Sequence, residues 1–341
     1  MKRAWSLVLS LVLLTSLLAG CASPSGQSSD DPFDSMLPVE IKYAHAIAEG
    51  ELMNYLIEDW MAAVTERSKG KITFDYYPAG QLGSFVEIIE QVDLGAVDMS
   101  SGEPSLYEPW CPEVSMLYAP LICDGYEHLG RCIYGRPGEL IAQAMSEKNN
   151  TYILDWVYSG ARVIASTRPL RTLGDMQGLT IRSPESQVYI DTFTLLGMSP
   201  TPMSMGEMYA ALQHGVVEAC ECPAQALYEG GYHKITGNIC KTRHMYALGT
   251  LSANEEFWDG LPEAARELML DTWDELKGGN NERVIASEDE YYAKFEAEGT
   301  LVTEFEDREA FKEIAEPYWS EKAASIGDRA TEILDAINEL R

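Results

Sequence analysis

The stretch that most restricts the fold is residues 178–223, where short strand patterns alternate with helical patterns. Residues 179–182 alternate apolar and polar side chains, as in a half-buried strand, and Pro184 prevents that strand from continuing. Apolar residues then recur at helical spacing over residues 188–196, and Gly197 marks the end of the helix. The stretch therefore predicts a strand followed by a helix that packs against a sheet.

A second helix in this stretch has a counterpart about 120 residues earlier in the chain. Ser204 is followed by glutamate three residues later, which is the spacing of a capping box, and by glycine eleven residues later. Ser84 is followed by the same two residue types at the same two spacings. Each helix leads through its glycine into a strand pattern. The sequence therefore predicts two similar α/β halves that face each other.

The remaining patterns extend this α/β arrangement. A strand is predicted from Val39 to His45, a helix over residues 52–64, and a second strand over residues 72–76, which together predict a parallel sheet. Another strand is expected over residues 151–158. Residues 262–299 have a long helical pattern interrupted at two glycines, and they form either one helix across both halves or two separate surface helices.

The N-terminal residues predict export and attachment to a membrane. Lys2 and Arg3 precede a short apolar segment, and residues 1–20 are therefore interpreted as a signal peptide. The sequence Leu-Ala-Gly-Cys that ends at Cys21 resembles the lipobox of bacterial lipoproteins, in which the cysteine is acylated. The alternative is a conventional signal peptide cleaved near Ala22. Residues 21–37 are predicted to form a lipidated, flexible tether.

Composition and cysteine usage narrow the classes of function. A formal net charge of −29 repels nucleic acid and anionic lipid headgroups, so no nucleic-acid partner is expected. Six cysteines follow Cys21, and an even number outside the cytoplasm permits disulfides, with Cys123 and Cys132 the favoured local pair. Cys220 and Cys222, with downstream His and Cys residues, do not match a strong zinc pattern, so we expect no metal. No catalytic constellation and no phosphate-binding loop stand out, so neither enzymatic activity nor a cofactor is expected.

Four consecutive motifs carry a resemblance to a known family. Residues 77–99 read Y-P-A-G-Q-L-G-S-F-V-E-I-I-E-Q-V-D-L-G-A-V-D-M, which closely resembles the signature of the DctP-like solute-binding proteins of TRAP transporters. Residues 178–186, 196–203 and 207–219 are similar to the blocks that follow in that family, in the same order and spacing.

The resemblance implies an α/β fold with two lobes, of the periplasmic-binding-protein type, with a ligand cleft between the lobes and a long helix across both. Lobe I is expected to comprise residues 38–160 and about 251–287, and lobe II residues 161–250 and about 288–341. The implied function is capture of a small organic acid outside the cytoplasm and delivery to a TRAP-type membrane permease. A monomer is expected, in the periplasm or on the outer face of the cytoplasmic membrane.

Two arginines are the first candidates for ligand contacts. In the family, the arginine of the I-R-x-P block grips the ligand carboxylate, which assigns that role to Arg182, and the arginine of the G-x-R segment assigns a second contact to Arg162. Arginine suits the task because its two parallel N–H donors match a carboxylate. The structural alternative for each is an ion pair with a Glu or Asp of the protein.

Five further side chains are weaker candidates for ligand contacts. His45 ends a strand, where it either contacts a ligand or is an ordinary polar residue at a strand end. Trp156 and Tyr209 either line the cleft or belong to the core, and Glu87 already has a role in capping its own helix. Cys222 stands where the family usually has an asparagine that bonds the ligand, so this position departs from the pattern.

Two other functions fit the same binding chemistry. The alternatives to the transport function are a ligand sensor for a membrane receptor and an extracytoplasmic enzyme that acts on a small acid. A co-purified membrane partner would identify the sensor, and turnover of a bound acid would identify the enzyme.

Overall fold

The computed structural model describes residues 31–341, which fall into two units that divide after Leu37. In the first unit, the residues from Asp31 onward include one helical turn, α1 (Pro32–Ser35), whose N-terminus is capped by the Asp31 side chain. The predicted signal peptide, Cys21 and most of the predicted tether lie outside the described residues. Within residues 31–341, no helix combines the length and the apolar character needed to cross a membrane.

The second unit, residues 38–341, alternates strands and helices throughout. Its strands are β1 (Val39–Ala44), β2 (Ile72–Tyr77), β3 (Met99–Ser100), β4 (Thr151–Ser166), β5 (Thr180–Ser183), β6 (Ser199–Pro202), β7 (Ala219–Pro223), β8 (Asn238–Lys241), β9 (Tyr246–Asn254) and β10 (Leu301–Glu304). Its α-helices are α2 (Leu52–Arg67), α3 (Phe85–Asp93), α4 (Tyr126–Ile133), α5 (Arg136–Lys148), α6 (Leu173–Met176), α7 (Gln187–Leu195), α8 (Met205–Gln213), α9 (Ala224–Glu229), α10 (His233–Thr236), α11 (Glu255–Gly260), α12 (Glu263–Ala297), α13 (Arg308–Ile326) and α14 (Asp328–Glu339). Two 3-10 helices, Pro104–Tyr107 and Pro112–Tyr118, connect β3 to α4.

Strand pairing divides this unit into two lobes. The strand order is β2-β1-β3-β9-β4-β7-β5-β6, and β8 pairs with both β4 and β10. Strands β1 to β3 are parallel in the first lobe, as are β5 to β7 in the second. The long strand β4 belongs to both, because it pairs with β9 up to Ala161 and with β7 from Arg162 onward. The two-lobed α/β architecture is therefore as expected, whereas the assignment of the C-terminal segments to each lobe stays a prediction.

The crossing of β4 between the lobes depends on Gly160. The sequence predicted a strand that ends at Tyr158, but β4 continues to Ser166 through a register shift between Tyr158 and Gly160. Gly160 has a φ of +134°, and a Cβ atom there would lie 2.8 Å from the Cβ of Pro223. Glycine at this position is therefore what lets one strand serve both sheets, because a side chain would add both strain and a clash.

The two predicted capped helices are present in corresponding places. Ser84 forms a capping box with Glu87 at the start of α3, and Ser204 forms one with Glu207 at the start of α8. Each helix follows the loop after a parallel strand, β2 in the first lobe and β6 in the second. The paired sequence signal therefore predicted a real structural correspondence between the lobes.

One continuous helix connects the two lobes. Helix α12 runs for 35 residues and passes through Gly278 and Gly279 without a break, so the single-helix alternative is correct. In the first lobe, the indole Nε1 of Trp60 on α2 donates a 2.9 Å hydrogen bond to the carbonyl of Met269 on α12. In the second lobe, the Tyr291 hydroxyl of α12 donates to Glu229 of α9 at 3.0 Å. These contacts attach α12 to both lobes.

The cysteines of the described residues are free thiols. The six that follow the predicted lipobox are all buried, and none forms a disulfide. Cys123 and Cys132, the favoured pair from sequence, lie close enough that their interaction raises the pKa of the Cys123 thiol and lowers that of the Cys132 thiol. Within the described part of the chain, no group of three or more His, Cys, Asp or Glu side chains is arranged to hold a metal ion.

A candidate ligand-binding cleft

A cleft of about 770 Å³ lies between the two lobes. Loops that follow the carboxyl ends of β1, β2, β3, β5 and β6 supply most of its wall, which is where ligands bind to parallel α/β sheets. It exceeds two other cavities among residues 31–341, which have volumes of about 500 and 190 Å³. Its wall is largely apolar, with a few charged groups, as in most small-molecule sites. The apolar side chains include Ile47, Met53, Phe85, Leu106, Met205 and Leu248.

Arg182 presents a buried positive charge to this cleft. It lies in β5 and is only 4% exposed. Its Nε and Nη2 atoms donate to the carbonyl oxygen of Met203 at 3.0 and 2.8 Å, which holds the guanidinium in place. No carboxylate among the described residues lies within 4.0 Å of it. Glu207 is farther away, but the charge of Arg182 contributes to lowering the pKa of Glu207. A buried charge without a counter-ion is costly, so this site favours an anion from solution.

Arg162 also lines the cleft, but the protein already neutralises its charge. Its Nε and Nη2 atoms bond both carboxylate oxygens of Glu221, the second at 2.8 Å, and its Nη1 atom bonds Glu103 at 2.9 Å. The alternative of a structural ion pair therefore describes the contacts of Arg162 in this structure. Its role as a ligand contact stays a prediction.

The pair between Arg162 and Glu221 is fully enclosed. Glu221 is 0% exposed, and Arg162 holds its pKa down at about 2 against the opposing effect of burial. His244 lies 3.7 Å from the same carboxylate, and burial lowers its pKa. The Tyr189 ring covers the guanidinium carbon of Arg162 at 4.9 Å. Arg162 is the member of this cluster that lines the cleft, and the other members pack around it.

Three of the weaker candidates do line the cleft. Cys222 lies in β7, is 2% exposed, and has a pKa raised to about 12 by burial, so its thiol is neutral. Tyr209 projects from α8 and is 45% exposed. Glu87 is exposed and accepts a 2.7 Å hydrogen bond from the Ser84 amide, a bond that lowers its pKa. Glu87 therefore retains its capping role at the edge of the cleft.

Two candidates do not reach the cleft. His45 is fully buried, where its Nδ1 atom accepts a hydrogen bond from the Ile47 amide and its Nε2 atom bonds the Tyr76 hydroxyl at 2.7 Å. Burial lowers the pKa of His45 to about 4, so the ring is neutral and structural. Trp156 is 4% exposed and belongs to the main core cluster. Both side chains are therefore packed inside the protein and do not line the cleft.

Two acidic side chains of the cleft were missed from the sequence. Glu51 follows the loop after β1, and Glu103 follows β3; both line the cleft. Burial raises the pKa of each carboxyl group, that of Glu51 to about 7. Their position in the sequence could have identified them, because each comes shortly after the carboxyl end of a parallel strand, where ligands bind.

Comparisons with known proteins agree with this architecture. The family model named DctP, described as "Bacterial extracellular solute-binding protein, family 7", matches residues 43–325. The sialic acid-binding periplasmic protein SiaP of Vibrio cholerae is 29% identical over 262 residues, which cover 77% of this chain and 81% of SiaP. The C4-dicarboxylate-binding periplasmic protein DctP of Rhodobacter capsulatus is 27% identical over 300 residues, covering 85% of this chain and 88% of that protein.

A solved structure shares the fold. The sugar acid binding protein DctPAm from Advenella mimigardefordensis, in complex with galactonate, matches with a TM-score of 0.84 at 19% identity. The match covers 90% of this chain and all of that chain. This likeness identifies the two-lobed fold of a solute-binding protein.

Proposed function

Because the chain belongs to the DctP family, family 7 of the bacterial extracellular solute-binding proteins, we propose that it serves a TRAP-type transporter and binds a small organic acid through Arg182. The observation that supports this most is the unpaired, 4% exposed guanidinium in the wall of a 770 Å³ cleft. Relatives named for sialic acid and C4-dicarboxylates, and a structural neighbour that holds galactonate, are consistent with a carboxylate ligand.

The contacts of Arg182 explain how it selects a carboxylate. The Met203 carbonyl fixes one edge of the guanidinium, so the donors that remain have a set direction before the ligand arrives. A preorganised donor loses little conformational entropy on binding, and a desolvated bidentate pair is stronger than an exposed one. The ligand carboxylate also supplies the counter-charge that the protein itself does not.

Closure of the lobes follows from the position of the cleft. Residues from both lobes line it, so a ligand that contacts both is bound best when the lobes are together. β4 crosses between the sheets at Gly160, next to Arg162, and gives a continuous connection about which the lobes can move. The closed, ligand-bound form would then be the one that a membrane permease accepts.

The test of this proposal is calorimetry on Arg182 variants. A thermal-shift screen of organic acids first identifies an acid that stabilises the wild-type protein. Arg182→Ala should then weaken its binding about 30- to 5,000-fold, because breaking one side of a desolvated charge pair costs about 2–5 kcal/mol. Arg136→Ala, which removes a 59% exposed arginine outside the cleft, is the matched control and should bind normally. Unchanged affinity of Arg182→Ala, with its circular dichroism intact, would contradict the proposal.

We also propose that Cys21 is lipidated and anchors the protein to the membrane. The support is the lipobox-like sequence that ends at this residue, which lies outside the described part of the chain. Several acyl chains at about 0.8 kcal/mol per buried CH₂ would anchor the protein firmly. Mass spectrometry of the membrane fraction should find a lipid mass on the N-terminal cysteine, and Cys21→Ala should remove it. A mature wild-type protein without that mass would refute the anchor.

A further inference from the structure

The charged groups of the cleft are only partly neutralised by one another. Two arginines and six glutamates line it, and no lysine, histidine or aspartate is among the lining residues of the described chain. The glutamates are Glu49, Glu51, Glu87, Glu103, Glu185 and Glu207. Two of them cap helices and two are exposed at the mouth. Glu51 and Glu103 remain, and both are partly buried.

The described residues do not fully satisfy either of these two carboxylates. Glu51 accepts one 3.3 Å hydrogen bond, from the Ala48 amide, and no cation within the described residues lies within 4.0 Å of it. Glu103 shares Arg162 with Glu221, which already binds that guanidinium through both oxygens. The Glu103 Oε1 atom is buried without a hydrogen bond from a described residue, although the hydroxyls of Tyr118 and Ser105 lie near enough to favour the charge.

The charges of Arg182 and Glu51, which have no counter-ion within 4.0 Å among the described residues, lie in one region. The Cys222 thiol and the Tyr232 hydroxyl, both in the cleft wall, are each within electrostatic range of Arg182 and of Glu51. Glu51 is in turn within range of Glu103. A ligand whose carboxylate lies on Arg182 therefore extends toward two acidic groups. The cleft is dipolar, positive at Arg182 and negative at Glu51 and Glu103.

We infer that the ligand carries a cationic nitrogen as well as a carboxylate, with the nitrogen held by Glu51 and Glu103. This inference rests on the proposed function, because it places the carboxylate on Arg182. A purely anionic ligand would satisfy Arg182 but would leave Glu51 without a cationic partner, and Glu103 and Glu221 would still share the single positive charge of Arg162. An ammonium or amidinium group donates hydrogen bonds to both carboxylates and supplies the missing positive charge.

The protonation of Glu51 is consistent with this arrangement. Burial raises its pKa, Glu229 and Glu103 raise it further, and Arg162 and the Ala48 amide oppose them, which leaves the pKa at about 7. A cation bound beside the carboxylate would favour its charged form and lower that pKa. Ligand and glutamate would thus stabilise each other's charged states.

Matched pairs of acids test the inference. Each pair has the same carbon skeleton and differs only in an amino or a hydroxyl group: alanine and lactate, phenylalanine and phenyllactate, 4-aminobutanoate and 4-hydroxybutanoate, 6-aminohexanoate and 6-hydroxyhexanoate. Calorimetry at pH 7 should show, in at least one pair, binding of the amino acid about tenfold or more tighter than binding of the hydroxy acid.

Variants locate the origin of that preference. Glu51→Gln or Glu103→Gln should reduce the ratio within the preferred pair to about threefold or less, which isolates the coupling between the glutamate and the ligand nitrogen. Glu66→Gln, an exposed position at the other end of α2, is the control and should keep the full ratio.

The outcomes separate this inference from the proposed function. The inference would be overturned if the hydroxy acids bound equally well or more tightly, or if the preference persisted in both glutamate variants. The proposed function, binding of an organic acid, would still hold in either case. Failure of every acid to bind, with Arg182→Ala indistinguishable from the wild type, would overturn the proposed function and this inference with it.

Discussion

Removing the charge of Glu221 should destabilise the protein by about 3 kcal/mol at pH 7. This residue is 0% exposed, and Arg162 holds its pKa at about 2 instead of 4.5. A difference of one unit between the folded and unfolded pKa corresponds to about 1.36 kcal/mol of folding free energy. The difference for Glu221 therefore gives about 3 kcal/mol. It agrees with the cost of about 3–5 kcal/mol for breaking a buried ion pair. Glu221→Gln is the informative change, because it removes the charge and keeps the size.

The effect should depend on pH with a definite sign. A carboxyl group whose pKa is lower in the folded protein contributes stability above its unfolded pKa, and this contribution is lost as the pH falls toward the folded value. The difference in unfolding free energy between the wild type and Glu221→Gln should therefore have its full value, about 3 kcal/mol, above about pH 5. By pH 3 the difference should fall to less than half of its value at pH 7.

Urea denaturation followed by circular dichroism measures this difference. With a slope of about 3 kcal/mol per molar urea, the midpoint of Glu221→Gln should lie roughly 1 M below that of the wild type at pH 7. Glu304→Gln is the control, because Glu304 is 65% exposed in its ion pair with Lys241 and should cost at most about 1 kcal/mol. Equal stability of Glu221→Gln and wild type at pH 7, or a difference that does not change with pH, would refute the reasoning.

Three further predictions concern motion, specificity and redox chemistry. Small-angle scattering should show a smaller radius of gyration with a saturating acid ligand than without it, and identical profiles would indicate a rigid cleft. Cys222→Asn should keep the fold and shift preference toward acids with an extra hydroxyl or carboxylate, because an amide offers stronger donors than a neutral thiol; superimposable binding profiles would show that position 222 does not touch the ligand. Mild oxidation should join Cys123 to Cys132 before any other pair, because these buried thiols are close enough to shift each other's pKa; peptide mapping that finds another pair first would contradict this.

Local sequence signals predicted the parts of the fold that local interactions determine. The Ser84 and Ser204 capping boxes depend on residues three positions apart, and both helices begin where expected. The extension of β4 beyond Tyr158 could not be predicted in this way. Gly160 interrupts the strand pattern in the sequence, but in the structure the close approach of Pro223 requires a glycine there, and that contact is 63 positions away in the chain.

In the candidate site too, a local motif predicted one residue, whereas contacts between distant residues could not be predicted. Arg182 was predicted from a motif, and the structure places it in the cleft wall with no carboxylate of residues 31–341 within 4.0 Å. The ion pairs of Arg162 were not predictable, because Glu103 and Glu221 are each 59 residues from it and only the tertiary structure brings them together. His45 was a candidate because it ends a strand, but the alternation of side chains did not show that Tyr76 and Ile47 occupy both of its ring nitrogens.

The central claim, that Arg182 binds the carboxylate of an organic acid, is tested most directly by a crystal structure of the complex. The protein would be crystallised with the acid that binds most tightly in calorimetry. The account predicts both carboxylate oxygens of the ligand at about 2.7–2.9 Å from the guanidinium nitrogens of Arg182, inside the cleft between the lobes. A ligand whose carboxylate binds elsewhere, with Arg182 bonded only to the Met203 carbonyl as in the present structure, would contradict it.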